Sequence, residues 1–211
     1  TYICTPTGDE NAETFAHWRR LAEILGKPLI PVTAHTTLDG LIRKQKMIPN
    51  HRARWCTRML KIEPAARWLA LNTPCVYYVG LRADEPEREG GDYASVEGVE
   101  QRFPMREWGW SLQDVLDCLA RFGIAIPERT DCRKCFWQKL SEWWLLWKTD
   151  IECWMEGEAI EDLTGHTFRS PGRDSWPAAL KDLRAMFEKG GVPRGNQGDL
   201  FKSMQCRVCR I

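Results

Sequence analysis

The residues CVYYVGL, 75 to 81, form an unbroken apolar run bounded by Pro74 and Arg82. A run with no polar position reads as a strand buried on both faces, the usual condition of parallel strands covered by helices above and below. Two more short apolar segments, YIC at 2 to 4 and PLIPV at 28 to 32, are separated by a helical pattern. Phe15, Trp18, Ala22 and Leu25 recur at helical spacing, and Gly26 with Pro28 closes that helix. Pro64 suits the first turn of another helix, whose apolar face holds Trp68 and Leu69. An acidic, glycine-containing loop is expected over 83 to 100. Ser111 and Asp114 then form a capping-box pattern ahead of Leu112, Val115, Leu116, Leu119 and Phe122, with Gly123 as the stop. This alternation predicts an α/β fold with a doubly wound, mostly parallel sheet.

Past residue 130 the strand signal ends. CFWQKLSEWWLLWKTDIECW places Trp137, Leu140, Trp144 and Trp147 on one helical face, and PAALKDLRAMFEKGG is a further helix between Pro177 and Gly190. The chain therefore divides into an α/β domain over 1 to 130 and a helical, tryptophan-rich C-terminal appendage over 131 to 211. The tryptophans read as packing against the α/β core, with a stacking platform for bases as the other use of the same residues. GGVPRGNQGD, 190 to 199, reads as a linker to the last cysteines. The opening directly into a strand at Tyr2 leads to the expectation of further chain upstream.

Composition narrows the classes. Thirty basic residues against 29 acidic ones leave a net charge of +1, so the chain as a whole is no polyanion binder. No apolar stretch approaches the roughly 18 residues of a membrane helix and no signal segment is evident, so a cytoplasmic protein without membrane partners is expected. Nine cysteines, an odd number, suit ligands, nucleophiles and buried thiols better than a disulfide framework. Cys4, Cys75, Cys118 and Cys153 sit in apolar settings and read as core thiols. No H-E-x-x-H, Walker loop or G-x-G-x-x-G occurs.

Charge is concentrated locally. Between 41 and 67 lie Arg43, Lys44, Lys46, Arg52, Arg54, Arg58, Lys61 and Arg67 with the single acid Glu63. Such a run reads as an anion site, as a nucleic-acid contact, or as a solvated face. Cys56 lies inside it, where nearby cations favour a thiolate, as nucleophile or as metal ligand. Thr7 and Gly8, in the loop after the first strand, offer a hydroxyl and backbone N–H groups at a helix start, although the same pair also serves as a plain turn. Arg82 leaves the 75–81 strand where ligands of open sheets bind, and Arg88 follows; Asp84, Glu85, Glu87 and Glu89 could pair with both instead.

Two C-x2-C pairs, Cys132/Cys135 and Cys206/Cys209, make a four-thiolate set suited to Zn2+ or a [4Fe–4S] cluster, with a redox dithiol as the other reading.

Three motifs in order, TGDENAET, RARWCTRMLKIEP and VGLRADEPER, resemble the phosphoadenosine phosphosulfate (PAPS) reductase family of the adenine nucleotide α-hydrolase-like, PP-loop fold. The resemblance runs from about residue 2 to 136 and is nearest to short phage and prophage members with tryptophan-rich tails. It implies an adenine nucleotide (PAPS, adenylyl sulfate or ATP) across the strand ends. Thr7, Gly8 and Asp9 would belong to the nucleotide loop, Lys61 and Arg82 would meet the phosphosulfate, and Arg54, Arg58 and Arg88 would add support. The family's S-G-G-x-D-S loop is absent, and the chain ends QCRVCRI where the reductases carry Glu-Cys-Gly-Leu-His. In related adenylyl-sulfate reductases a cysteine pair at the position of Trp55-Cys56 joins a later C-x2-C around a cluster. An alternative ligand set is therefore Cys56, Cys132, Cys135 and one tail cysteine.

Three functions follow as expectations. The first is a PAPS-reductase-like enzyme of sulfur or nucleotidyl transfer, in whose reductase version Cys56 attacks sulfur and a thioredoxin-type reductant releases sulfite. The second is ATP-dependent sulfur modification of DNA or RNA with an iron–sulfur centre. The third is a non-enzymatic, metal-stapled nucleic-acid-binding module.

Overall fold

A computed structural model describes residues 1–127 and 130–193. Strand β1 (Tyr2–Cys4) leads through α1 (Ala12–Leu25) to β2 (Leu29–Pro31), which pairs parallel with β1 in the register Tyr2↔Leu29 to Cys4↔Pro31. Gly26 ends α1 in the left-handed conformation, as the stop signal predicts. Helix α2 (Leu38–Gln45) follows, capped by Thr37, whose hydroxyl accepts from the Gly40 N–H. Strands β3 (Cys75–Tyr78) and β4 (Val99–Arg102) form a second parallel pair, from Cys75↔Val99 to Tyr78↔Arg102. Short α5 (Pro104–Glu107) and then α6 (Leu112–Arg121) follow, α6 beginning with the expected capping box of Ser111 and Asp114.

The chain is thus mixed α/β with parallel pairing, and the described strands form two two-stranded sheets rather than one continuous sheet. Two local expectations are corrected and a third is extended. The loop expected through residue 100 gives way at Val99 to β4, whose Val99 and Gln101 turn inward. The 75–81 run is covered on one face only: Cys75, Tyr77 and Val79 pack with Ala65, Leu69 and Tyr93, while Val76 and Tyr78 are 45% and 59% exposed. The helix expected at Pro64 forms, with the proline in its first turn, but it is the last part of a continuous helical run that starts at Trp55. It runs as α3 (Trp55–Thr57), a π-helical turn (Arg58–Ile62) and α4 (Glu63–Ala70). Proline lacks an N–H and its ring crowds the carbonyl four residues back. The wider turn immediately before Pro64, with the Glu63 N–H bonded to the Arg58 carbonyl, lets the helix pass through it.

The main core lies among helices. α7 (Leu140–Thr149), α8 (Ile151–Thr164) and α9 (Leu180–Glu188) bury Trp143, Trp154, Ile160, Leu180 and Leu183 against Leu41 and Ile42 of α2, Trp55 and Leu60. The C-terminal helices are therefore half of the principal core rather than an attachment to a sheet. The buried face of α7 is Trp143 and Leu146; Leu140, Trp144 and Trp147 line its margin, one position away from the expected stripe. Trp143 meets Trp154 edge-on with centroids 6.1 Å apart. Of the expected core thiols, Cys153 is fully buried and Cys4, Cys75 and Cys118 are half-buried.

Candidate functional site

The loop after β1 is held from two directions. Thr7 accepts the Leu38 N–H at the start of α2, and Gly8, with φ of 81°, sits so close to Thr37 that a Cβ there would lie 2.6 Å from its methyl group. Glycine is thus required here by conformation and by close packing. From the other side the C-x2-C turn docks on the same loop. Glu10 and Cys132 form an antiparallel bridge, Arg133 donates its N–H to the Asp9 carbonyl at 2.7 Å, and Thr7 Oγ1 lies 3.1 Å from Cys132 Sγ.

Asp9 is the pin of this junction. Its carboxylate takes the Lys134 backbone N–H at 2.9 Å and Lys134 Nζ at 2.7 Å, and both side chains are buried. The same ammonium faces Glu156 at 3.2 Å and Asp39 at 3.4 Å. Burial by itself would lower the Lys134 pKa, but Asp9 and then Asp39 hold it above the ordinary lysine value, so the ammonium stays charged. Asp9 is therefore a structural anchor, where the sequence placed it among nucleotide contacts. Lys134 carried no sequence signal, since the middle of a C-x2-C turn usually faces solvent.

The turn and the helical run enclose a cleft. Thr7, Arg54, Cys56, Lys61, Cys132 and Cys135 all line it, with Phe136 and Trp137 alongside. Its cavity is about 20 Å3, room for a water molecule or a single ion. The π-helical turn explains how Cys56 and Lys61, five residues apart, reach one cleft, because i→i+5 winding brings residues of that spacing toward the same face.

Electrostatics in the cleft differ from the sequence expectation. Burial pushes the Cys56 thiol above its ordinary value, against the opposing effects of Lys61, Thr57 and Arg54. Burial likewise pushes Cys132 up to about 11. Desolvation outweighs the nearby cations, and the thiolate expected at Cys56 is not the form these surroundings favour. Sulfur donors suit zinc or an iron–sulfur cluster. Among the described residues, however, no three His, Cys, Asp or Glu side chains converge closely enough to hold a metal ion. Cys206 and Cys209 lie outside the described residues.

Arg82 and Arg88 do not line the cleft. Both are buried with Glu85, whose Oε1 lies 3.2 Å from Arg82 Nη2 and 2.6 Å from Arg88 Nη1, while Arg82 Nε bonds Asp84 at 2.8 Å. The pairing weighed in the sequence is what forms, and it is interior instead of solvated. Arg106, which the sequence did not single out, closes this loop by donating to the carbonyls of Glu85, at 2.7 Å, and Arg88. Arg58 is exposed, with Glu63 3.6 Å away. The N–H groups of Thr7 and Gly8 are occupied by the chain's own Glu10 carboxylate, at 2.6 and 2.9 Å.

No family model, no curated protein and no solved structure matches the chain. No helix among the described residues is long and apolar enough to cross a membrane.

Proposed function

We propose that this chain is a PAPS-reductase-like enzyme performing adenine-nucleotide-dependent sulfur chemistry, its strands forming part of a larger doubly wound sheet. One observation carries the reading. Thr7 from the loop after β1, Arg54, Cys56 and Lys61 from the basic helical run, and the thiols of Cys132 and Cys135 meet in a single cleft. Lys61 and Arg54 supply fixed positive charge for a phosphate or sulfate group, and their effect is amplified by the cleft's burial. Cys56, Cys132 and Cys135 line this cleft without converging on one metal position among the described residues, so Zn2+ or a [4Fe–4S] cluster would be held by Cys132 and Cys135 only together with Cys206 and Cys209. Arg82 and Arg88 then act by shaping the loop around Glu85, and contribute to ligand binding only through it.

Two reactions would draw on the residues that line this cleft, the cavity itself admitting no more than the anionic group. In a sulfonucleotide reductase, a cysteine thiolate attacks sulfur, the S–O bond breaks to release the nucleotide, and a thioredoxin-type dithiol reduces the resulting thiosulfonate to sulfite. In ATP-dependent sulfur modification of DNA or RNA, the nucleotide would activate the acceptor, and Cys132 and Cys135 with the tail cysteines would hold an iron–sulfur centre.

Calorimetric titration of the full-length natural protein with ATP, adenylyl sulfate and PAPS tests the reading. Binding of at least one is expected, and no heat from any of the three overturns it. Metal analysis after anaerobic purification, repeated on Cys56→Ser, separates the roles of that cysteine. Loss of bound metal makes Cys56 a ligand, and retained metal with lost turnover makes it the nucleophile.

A further inference from the structure

Segment 43–58 holds six cationic side chains and no acid. Five of them, Arg43, Lys44, Lys46, Arg52 and Arg58, are exposed, and the sixth, Arg54, lines the cleft. The two halves of the segment are brought together by the fold. Gln45, at the end of α2, donates to Met59 Sδ at 3.2 Å, which brings the end of α2 against the helical run that carries Arg58. Among the described residues Arg43, Lys44, Lys46 and Arg52 make no ion pair.

Local structure accounts for part of this charge. Arg43 and Lys44 occupy the last turn of α2, where cations offset the helix dipole. Lys46 shares that effect at the cap itself but at an added cost. It caps α2 in the left-handed conformation, with φ of 51°, a position where glycine or asparagine is the less strained residue. A charged side chain stands there despite a conformational cost, and the exposed Arg52 and Arg58 flank Arg54 and Cys56, which line the cleft.

We infer that this surface binds the phosphate backbone of a nucleic-acid strand and leads it to the mouth of the cleft. The surface is a polyanion site in its own right; only the role of the cleft at its end rests on the function proposed above. A membrane surface is the competing partner for a basic strip. It requires apolar side chains that insert beside the cations, and here Ile48, Pro49 and Trp55 are buried while the exposed positions 43 to 46 are all polar. The spacing of several unpaired cations along one surface matches instead a linear array of phosphates, whose counterions are released on binding.

The test is fluorescence anisotropy of the full natural protein with a labelled oligothymidylate of about twenty nucleotides, at salt concentrations from about 50 to 200 mM. Affinity is expected to fall steeply with salt. The triple variant R43Q/K44Q/K46Q should bind at least about tenfold more weakly and lose about two units of the log–log salt slope. Lys46→Gly alone distinguishes lost contact from lost folding, because it should weaken binding while raising the melting temperature. Equal affinity of the triple variant and the parent protein overturns the inference. So does stronger binding to phosphatidylserine vesicles than to the oligonucleotide. An adenine-nucleotide titration that fails while oligonucleotide binding persists would remove the function proposed for the cleft and leave the surface standing.

Discussion

Lys134 Nζ lies 2.7 Å from Asp9 Oδ1, with the two side chains 0% and 2% exposed. This ion pair joins the loop after β1 to the C-x2-C turn across 125 residues of chain. It holds Thr7 against Cys132 and Cys135 around one cleft, which Lys134 itself also lines, so the geometry of the cleft rests on this contact.

Replacing Lys134 by methionine leaves Asp9 buried beside an apolar chain. Removal of one partner from a buried pair costs about 3–5 kcal/mol, and the expected loss in urea unfolding is of that size. The double variant Asp9→Asn with Lys134→Met should lose clearly less than the sum of the two single changes. Additive losses would show that the pair is not coupled.

Glu85 serves two buried guanidinium groups at once, Arg82 and Arg88. Glu85→Gln removes the charge both require and should cost about 2–4 kcal/mol. Thermal unfolding checks the stability. If Arg82 and Arg88 faced a ligand instead, the substitution would weaken anion binding with little change in melting temperature.

Two glycines with positive φ separate conformation from crowding. Around Gly26, φ of 60°, nothing lies within 4 Å of an added Cβ, whereas at Gly8 the Thr37 side chain is 2.6 Å away. Gly26→Ala should cost about 1 kcal/mol from conformation alone. Gly8→Ala adds overpacking, for about 2–4 kcal/mol in all, measured by denaturant midpoint. Equal costs would mean that the contact with Thr37 yields freely.

Glu161 is buried on α8 and accepts the N–H groups of Phe168, at 2.9 Å, and Leu180, at 2.6 Å, joining α9 to the preceding turn. Burial, only partly opposed by these bonds, pushes its pKa up to about 7. The folded chain then holds a proton that the unfolded chain releases at an ordinary carboxyl pKa near 4.5. Stability from this group is therefore fully present below that value and declines as pH rises to about 7, by about 3 kcal/mol. Comparing the pH dependence of unfolding with Glu161→Gln isolates the effect, because other titrating groups are common to both proteins. The variant should lose this decline whatever its absolute stability, and an unchanged difference profile would refute the assignment.

Local patterns were legible where one segment carried the whole signal. Gly26 ends α1, and Ser111 with Asp114 starts α6, because caps are settled within a few residues. Helix α2, which was not among the expected elements, carries a signal too, in Thr37 and the spacing of Leu38, Leu41 and Ile42, directly ahead of the charged run. Pro64 does sit in the first turn of α4, as its N1 preference predicts, but the π turn that joins α4 to the helical residues before it left no mark in the sequence. The thiol of Cys56 misled. Its cationic neighbours are visible in the chain, but the burial that outweighs them is not.

By itself the sequence determined the alternation of short apolar strands with helices, the positions of the caps, and the concentration of cations and cysteines in particular segments. These follow from propensities and spacings of near neighbours. Tertiary structure decided which charges remain available. It drew Arg82 and Arg88 inward onto Glu85, spent Asp9 on Lys134, left Arg43, Lys44 and Lys46 in solvent, and brought Cys56 into the same cleft as Cys132 and Cys135. The state of a charged or sulfur side chain depends on desolvation and on partners far along the chain, and both exist only once the chain has folded.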